Sequence, residues 1–434
     1  MRNWAGNLEY KAGGMLRPAT LAQLQEGVAA ASRIKAVGTR HCFNTIADTD
    51  GIHVNLDLLA GGPQIDTARA VVRVGGGMSY GELGRYLESH GYALHNLASL
   101  PHISVAGAVQ TGTHGSGSKL GSLHTAVKGL QLIRADGEVV RLQESDGADF
   151  LAAVVGLGAL GIITELELAI EPSYAVRQQV YEGLPWEAVL ADFEAVTSDG
   201  YSVSLFTDYA GPAVSQVWRK ARDSGNGPAP KEFHGAKPAP SALHPLPGMS
   251  AENCTPQLDV PGPWLERLPH FRHEFTPSNG NELQSEYLLP RGHAAAALRE
   301  LRALSPVLAP LLFVSEIRTV AADGFWLSPA FERDSVALHL TWKPMQQEVE
   351  TVLPLIEERL APFEPRPHWG KLFAADAATL APRYPHFENF RQLAASYDPA
   401  GKFRNSFLDR VLHGLPADRG DREATAPAVS AAVS

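Results

Sequence analysis

The sequence predicts a multidomain protein of mixed helix and strand, with strands in the majority. Three observations carry that prediction. The chain has 434 residues, well past the roughly 250–300 at which a single hydrophobic core stops growing, so two or three domains are expected. Hydrophobic residues make up 44% and charged residues 19%, a balance that fills large cores and excludes global disorder. The 40 glycines and 31 prolines exceed the usual share, which predicts turns and backbone-lined sites rather than a helical bundle.

Residues 1–172 read as short strands separated by glycine turns. An apolar run through Gly38 ends at His41. Residues 71–74 form a strand candidate that runs into Gly75-Gly76-Gly77. Ser79 and Glu82 then have the spacing of a capping box, and Leu83, Tyr86 and Leu87 supply one apolar helix face. Residues 130–134 and 139–142 flank Ala135-Asp136-Gly137 as a hairpin. An alternating strand at 163–168 precedes Glu171-Pro172.

Residues 173–370 differ in character. A stretch rich in Pro, Gly and His at 224–269 shows little periodicity, and a loop that long predicts a functional or lid-like excursion. Strands with a polar face follow, then a helix at 348–360. From Leu415 the chain is rich in Ala, Asp, Arg and Ser, a tail expected to be disordered at 416–434.

Composition narrows the class of function. A net charge of −10 gives no basic footprint for nucleic acid. Two cysteines, Cys42 and Cys254, make no disulfide framework and favour a reducing cytoplasm. The first residues lack the apolar run of a signal peptide, and no apolar stretch reaches the length of a membrane span. No His/Cys/acid spacing resembles a metal site, and no Gly-x-Ser-x-Gly elbow appears.

Three constellations can carry chemistry. In Val37-Gly38-Thr39-Arg40-His41-Cys42, a glycine turn exposes backbone N–H groups to an anion, and His41 is a nucleophile or attachment point. The segment from Ala98 through Ser99, Ser104 and Gly107 to Thr111-Gly112-Thr113-His114-Gly115-Ser116-Gly117 packs small residues densely, as an anion nest for phosphate or pyrophosphate requires. Each of these could also be a plain surface loop. In the second half, Glu316 and Arg318, His339 and Thr341, and Gln284 and Glu286 are pairs two residues apart on three strands. Each pair shares one strand face. If those faces converge they form a hydrogen-bonding floor for a ligand with several hydroxyls; if not, they belong to an ordinary solvent-facing sheet. Lys371 follows in His368-Trp369-Gly370-Lys371.

Gly156-Leu157-Gly158-Ala159-Leu160-Gly161 matches G-x-G-x-x-G. A dinucleotide fold needs a strand before those glycines and a helix after them. Here a short helix precedes and the β-branched Ile162-Ile163-Thr164 follows. The motif therefore reads as a helix-to-strand turn.

Taken in order, these segments resemble the flavin-dependent alditol oxidases, within the vanillyl-alcohol-oxidase-type group that also holds aldonolactone oxidases. The resemblance runs from Asn3-Trp4-Ala5-Gly6-Asn7 to residues 398–403. It includes 98–107, 111–117, 158–161, 270–278, 283–287, 316–320 and 366–371. It implies an α+β, two-domain, PCMH-type FAD-binding fold. The FAD domain would comprise 1–172 plus a C-terminal return at 373–415, and a cap domain at 173–372 would be built on an antiparallel sheet. It further implies that FAD is cradled by Val37, Gly38, Thr39, Arg40, Cys42, Ser99, Ser104, Gly107, Gly112, Thr113, His114, Gly161 and Ile163. His41 matches the histidine of the family's Gly-x-x-His-Ser motif, which bonds covalently to the flavin; Arg40 and Cys42 replace the small residue and the serine usual there. Ser99, Glu316, Arg318, Thr341 and Lys371 match substrate-contacting positions, His339 a catalytic one, and Gln284 is a further substrate group. Arg318 and Lys371 would stabilise developing negative charge, with Glu316 pairing to Arg318. The implied reaction oxidises the terminal primary alcohol of a polyol such as xylitol or sorbitol to the aldose, with O₂ reduced to H₂O₂, in a cytoplasmic monomer. An aldonolactone oxidase or dehydrogenase on the same fold, and a sugar-binding protein with a vestigial flavin site, are the competing readings.

Overall fold

The computed structural model describes residues 1–59, 61–223, 228–275 and 281–415. The expected tail at 416–434 lies outside the described residues, as do 276–278 of the 270–278 motif and the start of the long 224–269 stretch.

The fold is α+β. A small parallel sheet orders Gly14–Leu16, Ile52–Val54 and Ile34–Ala36. Beside it in sequence is a five-stranded antiparallel sheet, in the order Gln64–Asp66, Val71–Gly75, Ile162–Ala169, Val127–Ile133, Val139–Gln143. The expected hairpin is the Val127–Ile133 and Val139–Gln143 pair. The helix Tyr80–Ser89 begins with the capping box read from the sequence, Ser79 and Glu82 exchanging hydrogen bonds. Helix Ala148–Val154 precedes the Gly156–Gly161 turn and strand Ile162–Ala169 follows it, the reverse of a dinucleotide-binding order. Leu157, Gly158 and Gly161 all take positive φ there, which explains the glycines as turn formers.

The alternating strand read at 163–168 is Ile162–Ala169, and it is almost wholly buried on both faces. Glu167 reaches the edge of that layer, where Arg69 and Arg73 pair with it.

The chain then builds a nine-stranded sheet in which every pairing is antiparallel. Its main strands are β1 (Ala175–Pro185), β2 (Ser202–Thr207), β3 (Ala213–Arg222), β4 (Leu283–Pro290), β5 (Leu312–Val320), β6 (Ser335–Trp342) and β7 (Arg366–Pro367). They lie in the order β1-β3-β2-β5-β6-β4-β7. One face, carrying Ile317, Leu338, Leu340 and Trp342, shares a core with Leu298 and Leu301 of helix Ala294–Ala303 and Leu353 and Ile356 of helix Gln346–Leu360. This apolar cover fixes the sheet's sidedness, so the alternate residues of β4, β5 and β6 face the other way.

After β7 the chain returns to the first sheets. Ile34 donates its N–H to Lys402 O (3.0 Å), and Asn405 Nδ2 donates to the carbonyls of Thr45, Ile46 and Asp48. Phe403 packs into the core of Leu24, Val28 and Ile34. Lys35, buried in the same place, is pushed down to about 7 by desolvation and donates to the carbonyls of Gly158 and Phe403.

Candidate active site

The free face of the large sheet floors a cavity of about 470 Å³. Its opposite walls come from the 37–43 turn, 98–114 and 157–163. Sheet register decides what stands on the floor. Glu316 on β5 lies opposite His339 on β6, and His339 lies opposite Glu286 on β4. Thr341 is likewise opposite Gln284. One member of each polar pair read from the sequence therefore stands in a single row across three adjacent strands, and their partners Thr341, Gln284 and Arg318 line the same cavity.

Glu286, which the sequence reading placed only among the candidate floor residues, is the centre of the charge network. Its carboxylate is fully buried. Lys371 Nζ approaches at 2.6 Å, Arg318 Nη2 hydrogen-bonds to it, and His114 Nε2 lies 3.3 Å away. Burial alone would raise this carboxyl; Arg318, Lys371 and His114 outweigh it and hold it well below the ordinary range. Arg318 had been expected to pair with Glu316, but its close bond goes to Glu286, with Glu316 Oε2 left 3.7 Å from Arg318 Nε. Glu316 instead accepts from His270 Nε2 at 2.8 Å. Burial pushes the Glu316 carboxyl up, but Arg318 and His270 bring it below its usual value.

The ring of His339 is placed between donors. Nδ1 faces Lys371 Nζ at 3.0 Å and Arg318 Nη2 at 3.3 Å. Both partners are donors, so Nδ1 holds the lone pair and Nε2 carries the proton, directed to Thr341 Oγ1 at 3.1 Å. Burial, then Lys371, lowers this imidazole well below its ordinary value, so it is neutral. Desolvation also lowers Lys371, against the opposing pull of Glu286.

At the other end of the cavity, both nitrogens of His41 are buried without a hydrogen-bond partner among the described residues. The ring stacks on Trp4, with centroids 4.9 Å apart. Burial, then His102, lowers it to about 4, which leaves a neutral, nucleophilic imidazole. Arg40 takes a left-handed backbone (φ 65°), the physical reason a small residue suits that place. Trp4 N–H to Arg40 O and Asn3 Nδ2 to Cys42 O prop the turn from behind. Asn44 Nδ2 donates to the carbonyls of Trp369 and Lys371, tying the turn to the segment that carries Lys371. The Cys42 thiol is pushed up to about 12 by burial, which makes it inert packing.

The cradle fits a flavin dinucleotide. A Cβ on Gly107 would stand 2.7 Å from Ser104 Oγ, one on Gly38 would collide with the same hydroxyl, and one on Gly161 would collide with the Ile133 carbonyl. The unpartnered His41 ring opens into the same space. The other expected cofactor residues Val37, Thr39, Ser99, Ser104, Thr113, His114 and Ile163 all line the cavity, as do Arg40 and Cys42. So do the substrate candidates Gln284, Glu316, Arg318, His339, Thr341 and Lys371. Gly112 does not: its N–H donates to Val109 O, and it turns the chain against Pro329.

Similarity to known proteins fits this geometry. Residues 12–143 match the family model described as FAD binding domain, and residues 279–411 match that of D-arabinono-1,4-lactone oxidase. An alditol oxidase of Streptomyces sp. is 51% identical over 95% of this chain and 99% of its own length. The chain belongs to the alditol oxidase family. More distant relatives include L-gulono-1,4-lactone dehydrogenase of Mycobacterium tuberculosis, 29% identical over 94% of this chain and 98% of its own, and L-gulonolactone oxidase of Mus musculus, 27% identical over 95% and 98%. Among solved structures, cholesterol oxidase from B. sterolicum superposes with a TM-score of 0.76 at 15% identity, covering 95% of this chain and 96% of that one. That shared fold, together with the FAD binding domain match over residues 12–143, puts the chain in the vanillyl-alcohol-oxidase-type fold.

Proposed function

We propose that this protein is an FAD-dependent alditol oxidase, which converts the terminal primary alcohol of polyols such as xylitol or sorbitol to the aldose. The observation that carries the reading is the row Glu316–His339–Glu286, with Arg318 and Lys371, on the floor of the cavity that also holds His41. The 51% identity to an alditol oxidase points the same way.

Residues 1–172 together with the 373–415 return would hold FAD, with His41 as its covalent attachment point. The group would supply a hydride acceptor and the two-electron chemistry that reduces O₂ to H₂O₂. The protein's own residues do the rest. Glu316, Thr341, Gln284 and Ser99 take the polyol hydroxyls. Lys371 and Arg318 donate to the oxygen of the reacting alcohol as negative charge develops there. The hydroxyl proton passes to His339 Nδ1, the nitrogen with the lone pair, as Lys371 turns its hydrogen bond from the ring to that oxygen. Glu286 (3.9 Å from Nδ1) steadies the imidazolium that results.

A lactone substrate is the second reading, favoured by the 279–411 family match. A flat ring offers this floor fewer free hydroxyls. A cytoplasmic monomer is part of the proposal, and the two free cysteines suit the reducing compartment. No described helix is long and apolar enough to cross a membrane. The test is a visible spectrum followed by anaerobic sorbitol, then air, with a gulono- or galactonolactone run alongside. Bleaching by sorbitol and recovery in air are expected. A flavin that no polyol reduces refutes the proposal, and faster reduction by the lactone favours the second reading.

A further inference from the structure

His270 and Lys220 have no part in the chemistry above, yet both are almost fully buried next to it. Lys220, on β3, lies two strands from Glu316 on β5. Its Nζ faces His270 Nδ1 at 3.1 Å and donates to the Leu268 carbonyl. A donor on Nδ1 makes that nitrogen the acceptor and leaves the ring proton on Nε2. That proton is aimed at Glu316 Oε1, 2.8 Å away. The rings of Trp218 and Phe206 meet the imidazole at 5.0 and 5.5 Å, and its backbone N–H is tied to Ser99 O. His270 is thus fixed in place, in ring orientation and in tautomer. Burial, then Lys220, holds it at about 4, so it is neutral and donates.

A second observation gives this arrangement its consequence. Arg318 Nε is buried without a hydrogen-bond partner among the described residues, and Glu316 Oε2 stands 3.7 Å from it. A carboxylate and a guanidinium at that distance would ordinarily close to a full hydrogen bond. The hold of His270 on Oε1 keeps Glu316 from turning to it. Among the described residues, Glu316 Oε2 therefore has no hydrogen-bond partner, and Glu316 lines the cavity.

Resting on the polyol reading above, we propose that Lys220 and His270 are positioning residues that hold Glu316 away from Arg318, so that the site demands a substrate hydroxyl at Glu316. A site that leaves a buried polar group unpaired unless the ligand supplies its partner discriminates strongly against the analogue lacking that group.

The test is anaerobic flavin reduction by sorbitol and by its monodeoxy analogues, in wild type, His270→Leu, His270→Gln and Lys220→Met. Glu316→Gln serves to identify the hydroxyl that Glu316 reads. In wild type, deleting that hydroxyl should lower kcat/KM by at least about tenfold, the usual size for a hydrogen bond to a charged group. His270→Leu should reduce the penalty to less than about threefold, because Glu316 then closes on Arg318 and no longer needs the hydroxyl. His270→Gln keeps an N–H donor and should retain the wild-type penalty, and Lys220→Met should lower it. Flavin content of each purified variant reports folding separately from discrimination. Should His270→Leu emerge without flavin, Lys220→Met decides, and a wild-type penalty there overturns the proposal. A wild-type penalty in a flavin-loaded His270→Leu overturns it too. A wild-type protein that no polyol reduces removes the polyol reading, and this proposal with it.

Discussion

Replacing Glu286 with glutamine removes one charge and little volume, from a place where three partners depend on that charge. Lys371 at 2.6 Å, Arg318 and His114 would then face a neutral amide where the charge of a fully buried carboxylate had been. Removing one partner of a buried ion pair costs about 3–5 kcal/mol, because the remaining charge stays buried and uncompensated. Against a total stability of about 5–15 kcal/mol that is a large fraction. At roughly 2–4 °C per kcal/mol for domains of this size, the melting temperature should fall by on the order of 10 °C. The double variant Glu286→Gln/Lys371→Met removes one surplus cation as well and should recover part of the loss, a coupling of about 0.5–3 kcal/mol.

Acid adds a signature with a definite sign. The folded Glu286 carboxyl lies below its ordinary value of 4.5, so its contribution is present above that pH and is lost as pH falls through the folded value. The glutamine variant lacks that acid-side loss. Activity carries the opposite limb. Burial lowers the Lys371 ammonium and Glu286 raises it, so without Glu286 it loses its proton at lower pH, and the alkaline limb of kcat/KM moves acidward. The assays are thermal unfolding by circular dichroism across pH and kcat/KM for sorbitol across pH. A Glu286→Gln enzyme that melts within about 2 °C of wild type and keeps its alkaline limb would refute the reasoning.

Other expectations are simpler. Acid-precipitated wild type should carry its flavin into the pellet and His41→Ala should release it to the supernatant; flavin in the wild-type supernatant removes the covalent assignment. His339→Ala should slow anaerobic flavin reduction by about hundredfold or more while leaving flavin content intact, and an unchanged rate removes His339 from proton transfer. Gly161→Ala combines a φ of 152° with a Cβ placed against the Ile133 carbonyl. It should destabilise by about 1–3 kcal/mol and lower the flavin content of the purified protein; normal content and normal melting would show that the backbone there has room.

Much of the local structure was legible because it rests on short-range patterns. The Ser79/Glu82 cap, the hairpin read at 130–142 and the reversed order around Gly156–Gly161 each follow from neighbouring residues alone. The polar pairs on β4, β5 and β6 were legible for the same reason, since residues two apart on a strand share a face. Glu286 shares a strand face with Gln284, and that was the one signal available for it. Lys220 had none: a lysine flanked by Arg219 and Arg222 in a strand reads as part of an edge or a wet face, yet here it is buried.

By itself, then, the sequence determined which residues offer polar groups on one side of three strands, and where glycine turns open toward a ligand. Tertiary structure decided which of those groups meet. Register sets Glu316, His339 and Glu286 in one row, and register depends on pairings between segments about 20 to more than 50 residues apart that no local pattern encodes. It also decided the division of charge, giving Arg318 to Glu286 and Glu316 to His270. In a buried space each carboxylate is held by whichever donors the fold brings within hydrogen-bond reach, and sequence spacing does not report that distance.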